Sequence, residues 1–113
     1  MSDFRRGDVV VATLDPSAGH EQTKRRYMVV VSNDGFNARC HLTMVCPITS
    51  AGNGYPLHHQ VRVVGADGDV NGFVEVEQLK ALDLEARDAQ VVGCLRPQEM
   101  DAVTALVLSC VID

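Results

Sequence analysis

The sequence predicts a mainly β protein, a small, strongly curved, mostly antiparallel barrel closed by one C-terminal α-helix, and three observations carry that expectation. The chain has 113 residues, 46% of them hydrophobic, which suits one compact domain over residues 1–113 and leaves no room for a second. Its apolar residues fall into five to seven short β-branched runs punctuated by Pro, Gly, Asn and Asp. Only after Pro97 does the apolar spacing lengthen to a helical repeat.

In chain order, Asp8–Leu14 is a β-branched run that ends at Asp15-Pro16. Tyr27–Ser32 is almost continuously apolar, as a strand buried on both faces would be. Leu42–Cys46 forms a third run, with Pro47 expected to close it. After the Gly52–Pro56 turn cluster, Gln60–Val64 alternates into Asp67-Gly68, a hairpin signal. Phe73–Glu77 also alternates, which places Phe73, Glu75 and Glu77 on one face and Val74 and Val76 on the other. A helical turn over Asp83–Asp88 and a last strand over Ala89–Leu95 follow. From Pro97 onward, Met100, Val103, Leu106, Val107, Cys110 and Val111 recur at helical spacing. The β-branched residues of this segment leave a strand reading open, but its length and proline start favour the helix.

The formal net charge of -5 speaks at first against a nucleic-acid partner. The charge is unevenly placed. Residues 1–56 carry six basic and five acidic side chains, whereas residues 57–113 carry four and ten. Lys24-Arg25-Arg26 is the densest basic cluster, and local sign rather than net charge governs a cleft. Cys40, Cys46, Cys94 and Cys110 show no CxxC spacing, and the N-terminus has no apolar signal segment, so reduced thiols in a cytoplasmic protein are expected. No apolar run approaches the roughly 20 residues of a membrane span. Cys40-His41 with Cys46 is a poor zinc pattern, and adjacent His58-His59 point opposite ways from a strand, so no metal and no cofactor is expected.

Two stretches stand out chemically. Asp15–Arg26 spans twelve residues, longer than a hairpin needs, and holds an imidazole, a carboxylate, an amide and three cations within seven positions. A functional loop and a solvated loop are both open readings of it. Cys46-Pro47-Ile48-Thr49-Ser50 places two hydroxyls just past a strand, suited to donate to a phosphate oxygen or to cap a turn.

These stretches belong to an ordered set: Arg6-Gly7-Asp8, Leu14-Asp15-Pro16, Gly19-His20-Glu21-Gln22 with Arg25-Arg26, Val30-Val31-Ser32, Phe36-Asn37, Val45–Ser50, Gly54-Tyr55-Pro56 and Glu77-Gln78-Leu79-Lys80. The set resembles the MazF/PemK/Kid family of toxin endoribonucleases over nearly the whole chain. The resemblance implies an SH3-like (CcdB/PemK-type) barrel that forms a homodimer and cuts single-stranded RNA without a metal. It also implies a cognate antitoxin whose disordered acidic tail lies along the RNA groove.

Metal-free cleavage uses the RNA 2′-hydroxyl as nucleophile, so the protein must supply a base, an acid and a cation for the charge developing on phosphorus oxygens. The products would be a 2′,3′-cyclic phosphate (or 3′-phosphate) and a 5′-hydroxyl, and DNA would be spared. Carried over by position, the resemblance implies Arg26 and Thr49 as the central catalytic pair, with His20 and Glu77 as further catalytic groups. Arg26 would act as a fixed cation, since guanidinium titrates above about 12. Glu21, Gln22, Lys24, Arg25, Ser50, Gln78 and Lys80 would contact substrate. The sequence departs from the family pattern at Glu77, where Asp is common, at Glu75, where one branch has arginine, and at Tyr27, where proline is usual. Tyr27 is open to two readings, a stacking face for a base and a packed residue opening its strand. The C-terminal helix has two as well, packing on the barrel alone or contributing to a dimer contact.

Two other functions fit the same barrel. One is a non-catalytic, CcdB-like toxin that binds and poisons DNA gyrase, which has no need of Arg26 and Thr49 together. The other is a catalytically inert RNA- or antitoxin-binding module.

Overall fold

A computed structural model describes residues 3–13, 25–50, 57–65 and 68–112. Among these residues, seven strands form one antiparallel sheet that curls on itself: β1 (Asp8–Thr13), β2 (Arg25–Val30), β3 (Thr43–Thr49), β4 (His58–Gly65), β5 (Gly68–Glu75), β6 (Lys80–Leu82) and β7 (Gln90–Cys94). Their order is β4-β5-β3-β2-β1-β7, with β6 pairing on β3. The described residues also include two α-helices, α1 (Asp34–Arg39) and the C-terminal α2 (Pro97–Ser109). The mainly β, helix-terminated architecture expected from the sequence is the one observed.

The central strands are buried on both faces. Val9, Val29 and Cys46 join one apolar cluster with β4, β5 and α2, while Val10, Met28, Val30 and Val45 join a second with Leu84. This is why the β2 run lacks alternation: each face has its own core. On α2, Met100 and Val103 are buried and Leu106 and Val107 pack partly against the first cluster. Cys110 and Val111, expected on the same stripe, lie exposed beyond the last helical turn.

Several boundaries differ from expectation for identifiable reasons. β2 begins at Arg25, because Arg26 and Arg25 pair with Ala12 and Thr13 of β1 and extend the ladder into what reads as loop. β3 passes through Pro47 to Thr49. Pro47 sits between the residues paired to β6 (Thr43–Val45) and those paired to β5 (Ile48, Thr49), where a residue without an N–H is tolerated. β5 stops at Glu75, and Val76–Gln78 forms a 3₁₀ turn in place of further strand. The hairpin expected from Asp67-Gly68 appears as the antiparallel pairing of β4 with β5, with Gly65 opposite Gly68, while residues 66–67 lie outside the described residues.

The α1 helix and β6 have no apolar period to announce them. Asn33 caps α1 by accepting from the Phe36 N–H at 2.8 Å. Inside it, Asn37 is 1% exposed and its amide donates to the Ser32 carbonyl at 3.1 Å and the Phe4 carbonyl at 3.2 Å. The Ser32 hydroxyl in turn donates to Asn37 Oδ1 and accepts from the Met44 N–H. Val31-Ser32 and Phe36-Asn37 thus serve as a buried polar bracket joining the N-terminal segment, α1 and β3. Gly7 adopts φ +95°, a conformation that favours glycine, and ties Val30 to Leu95 through its backbone N–H and carbonyl.

Candidate functional site

A cavity of about 380 Å³ opens at one end of the sheet, lined by Arg25, Arg26 and Tyr27 of β2, Ile48 and Thr49 of β3, Ser50, and Val70 and Asn71 of β5. β2 and β3 pair from Val30↔Val45 to Met28↔Pro47. Continuing that register by two residues sets Arg26 level with Thr49, and the lining residues lie along this continuation. The curl of the sheet brings β5 in from the other side, where Thr49 pairs with Phe73 and Ile48 with Val74.

Arg25 and Arg26 are both exposed, and consecutive residues on a strand present side chains to opposite faces. The Arg25 guanidinium donates to the Val11 carbonyl at 3.2 Å, which holds its stem along β1. Thr49 is half-buried and Ser50 exposed at the opposite wall. Arg25 and Arg26 and the hydroxyl residues Thr49 and Ser50 lining one open cavity suit an anionic group such as a phosphodiester. Tyr27 packs against the core, as a residue opening its strand would, and also lines the cavity.

Glu77 stands apart from this lining. The 3₁₀ turn carries it to His58 Nε2, which lies 2.9 Å from Glu77 Oε2 and 4.0 Å from Glu75 Oε2. The two carboxylates therefore converge, as the sequence alternation suggested, although only Glu75 is on the strand. Gln78 is exposed and Lys80 opens β6 opposite Val45, so neither lines the cavity. His20, Glu21, Gln22 and Lys24 lie outside the described residues. Cys46, beneath this region in the core, has its thiol pushed up from 9.0 to about 12 by burial first, then by the Glu77 carboxylate and Cys110.

Sequence reasoning missed Asn71 and His58. The Asp67-Gly68 hairpin signal could have found the second, because counting back along the β4–β5 ladder sets His58 against Glu75. The cross-strand register also puts Thr49, Asn71, Phe73, Glu75 and His58 on one face of the sheet, continuous with the cavity.

The chain is similar to known proteins of one family. Residues 5–110 match the family described as PemK-like, MazF-like toxin of type II toxin-antitoxin system. The endoribonuclease toxin ChpB of Escherichia coli K12 is 38% identical over 120 aligned residues, covering 99% of this chain and 97% of ChpB. The endoribonuclease toxin MazF of the same strain is 30% identical, covering 89% and 87%. Among solved structures, a MazE–MazF structure from Deinococcus radiodurans (Form II) superposes with a TM-score of 0.82 at 29% identity, over 94% of this chain and 93% of that one. With a matching family over 106 of its positions, a full-length relative and a shared fold, the chain belongs to the PemK-like, MazF-like toxins of type II toxin-antitoxin systems.

Proposed function

We propose that the protein is a cytoplasmic endoribonuclease toxin that cleaves single-stranded RNA without a metal. Through that cleavage it inhibits translation and growth, and a cognate antitoxin neutralises it. The observation that carries this reading is the meeting of Arg26 and Thr49 in one cavity, flanked by Arg25 and Ser50. In the reaction, the 2′-hydroxyl attacks the adjacent phosphorus and the bond to the 5′-oxygen breaks. Arg26 balances the charge that grows on the non-bridging oxygens, and Thr49 donates a hydrogen bond to one of them. Glu77, which stands outside the cavity lining beside His58 and would meet a strand running past the cavity, takes up the proton of the 2′-hydroxyl, and His20 serves as its counterpart at the leaving oxygen. Glu21, Gln22, Lys24, Gln78 and Lys80 contribute contacts to the strand beyond the scissile phosphate.

The chain forms a homodimer in this reading, because Leu108 near the end of α2, Val111 and Ile112 just beyond it, and Val91 on the edge strand β7 are exposed apolar side chains that a second copy would cover. Among the described residues, no helix is long and apolar enough to cross a membrane.

Incubation of the purified protein with single-stranded RNA and the matching DNA, both in EDTA, tests the reading. RNA alone is expected to be cut, with 2′,3′-cyclic phosphate or 3′-phosphate and 5′-hydroxyl ends. RNA left intact across several sequences would overturn the nuclease assignment, and activity abolished by EDTA would overturn the metal-free chemistry.

A further inference from the structure

The cluster on the outer face of β4 and β5 has a donor set of its own. His58 Nε2 and one carboxylate oxygen each from Glu75 and Glu77 lie within 4.8 Å of one another. The His58 side chain is 9% exposed and the two carboxylates 22% and 27%, so the three groups face one another at the edge of the protein rather than dispersing into solvent. Two carboxylates bring two negative charges and one imidazole at most one positive charge. With the ring neutral, the form in which it ligates a metal, the trio carries two negative charges, which a divalent cation would balance.

Geometry and ligand type narrow the ion. Donors at 2.0–2.2 Å from a tetrahedral centre stand about 3.3–3.6 Å apart, and the observed separations of 2.9 Å and 4.0 Å bracket that range. Closing onto an ion asks only for small rotations of flexible carboxylates. An imidazole in the set disfavours calcium and magnesium and suits zinc-class ions, with the fourth position left to water. We propose that His58, Glu75 and Glu77 form a binding site for one divalent zinc-class ion, and that its occupancy inhibits RNA cleavage. The inhibitory half rests on the nuclease reading: an ion holding the Glu77 oxygen takes the lone pair that would accept the 2′-hydroxyl proton. The sequence pairing His58-His59 misleads because a strand turns the two rings apart; the second and third donors come from a neighbouring strand and its turn.

Calorimetric titration of the purified protein with zinc chloride, with magnesium chloride as comparison, tests the site. One zinc per chain is expected, with no magnesium binding at the same concentrations and a higher Tm in zinc. His58→Gln, Glu75→Gln and Glu77→Gln should each weaken zinc binding by about tenfold or more, with circular dichroism confirming their folds, whereas His41→Ala on an exposed loop should not. Cobalt as a spectroscopic probe should show no thiolate charge-transfer band. Such a band, or unchanged affinity in folded His58→Gln, would overturn the site. Zinc should suppress RNA cleavage reversibly, and Glu75→Gln, measured against its own zinc-free rate, should lose that sensitivity. Binding with unaltered cleavage would overturn the inhibitory half. RNA cut under no condition would remove the nuclease reading, while the titration would still decide the ion site.

Discussion

Gly72 and Thr49 approach each other so closely that a Cβ on Gly72 would stand 2.5 Å from the Thr49 carbonyl oxygen and 2.9 Å from Ile48 Cγ2. β5 reaches β3 beside the cavity because this position carries no side chain. Gly72→Ala must push the two strands apart at the residue on which the proposed chemistry depends. We expect a loss of about 1–3 kcal/mol in stability and a fall in cleavage rate beyond that explained by unfolding. Thermal denaturation and cleavage assays below Tm would measure the two effects, and wild-type behaviour in both would contradict the close approach.

Arg26→Ala and Thr49→Ala should each lower RNA cleavage by about 10²-fold or more if the pair stabilises charge in the transition state. Arg26→Lys should recover only part of the loss, because an ammonium lacks the planar fork. Single-turnover rates on one RNA substrate check this, and two alanine variants that cut at the wild-type rate would remove the pair from the site.

Asn37→Ala leaves the Ser32 hydroxyl and the Ser32 carbonyl without their amide partner in a buried setting. Each buried polar group so orphaned costs about 1–3 kcal/mol. A marked drop in Tm is expected while the folded fraction keeps its cleavage rate, since the bracket touches no residue of the cavity. Chemical denaturation with parallel activity measurements separates these outcomes.

The Cys46 thiol sets a pH dependence of stability. In the unfolded chain it loses its proton near 9.0 and in the folded protein near 12. Between those values the folded state binds the proton more tightly, so its contribution is complete below about pH 9 and is progressively lost as pH rises toward 12. Denaturation midpoints of the wild type should therefore fall more steeply over this window than those of Cys46→Ala. Parallel slopes would show that the thiol does not couple to folding.

Much of this was legible in the chain itself. The β-branched runs and their turn signals located six of the strands because burial on a pleated surface selects those side chains. Pro97 and the spacing of Met100 and Val103 announced α2 for the same reason of packing. The helix α1 escaped because it is six residues long and held by an Asn33 cap and a buried amide rather than by an apolar stripe. β6 escaped because three residues carry no period.

The sequence by itself determined the kinds of groups available, two arginines next to each other and two hydroxyls after Pro47, and a local cationic character hidden beneath a net charge of -5. Only the tertiary structure decided which of them meet. Sheet curl and strand register bring Arg26 to Thr49, 23 positions away in the chain, and leave Glu77 with His58 and Glu75 outside the same cavity. Side-chain identity is a local property, whereas proximity across strands follows from backbone pairing between distant segments, which no single segment encodes.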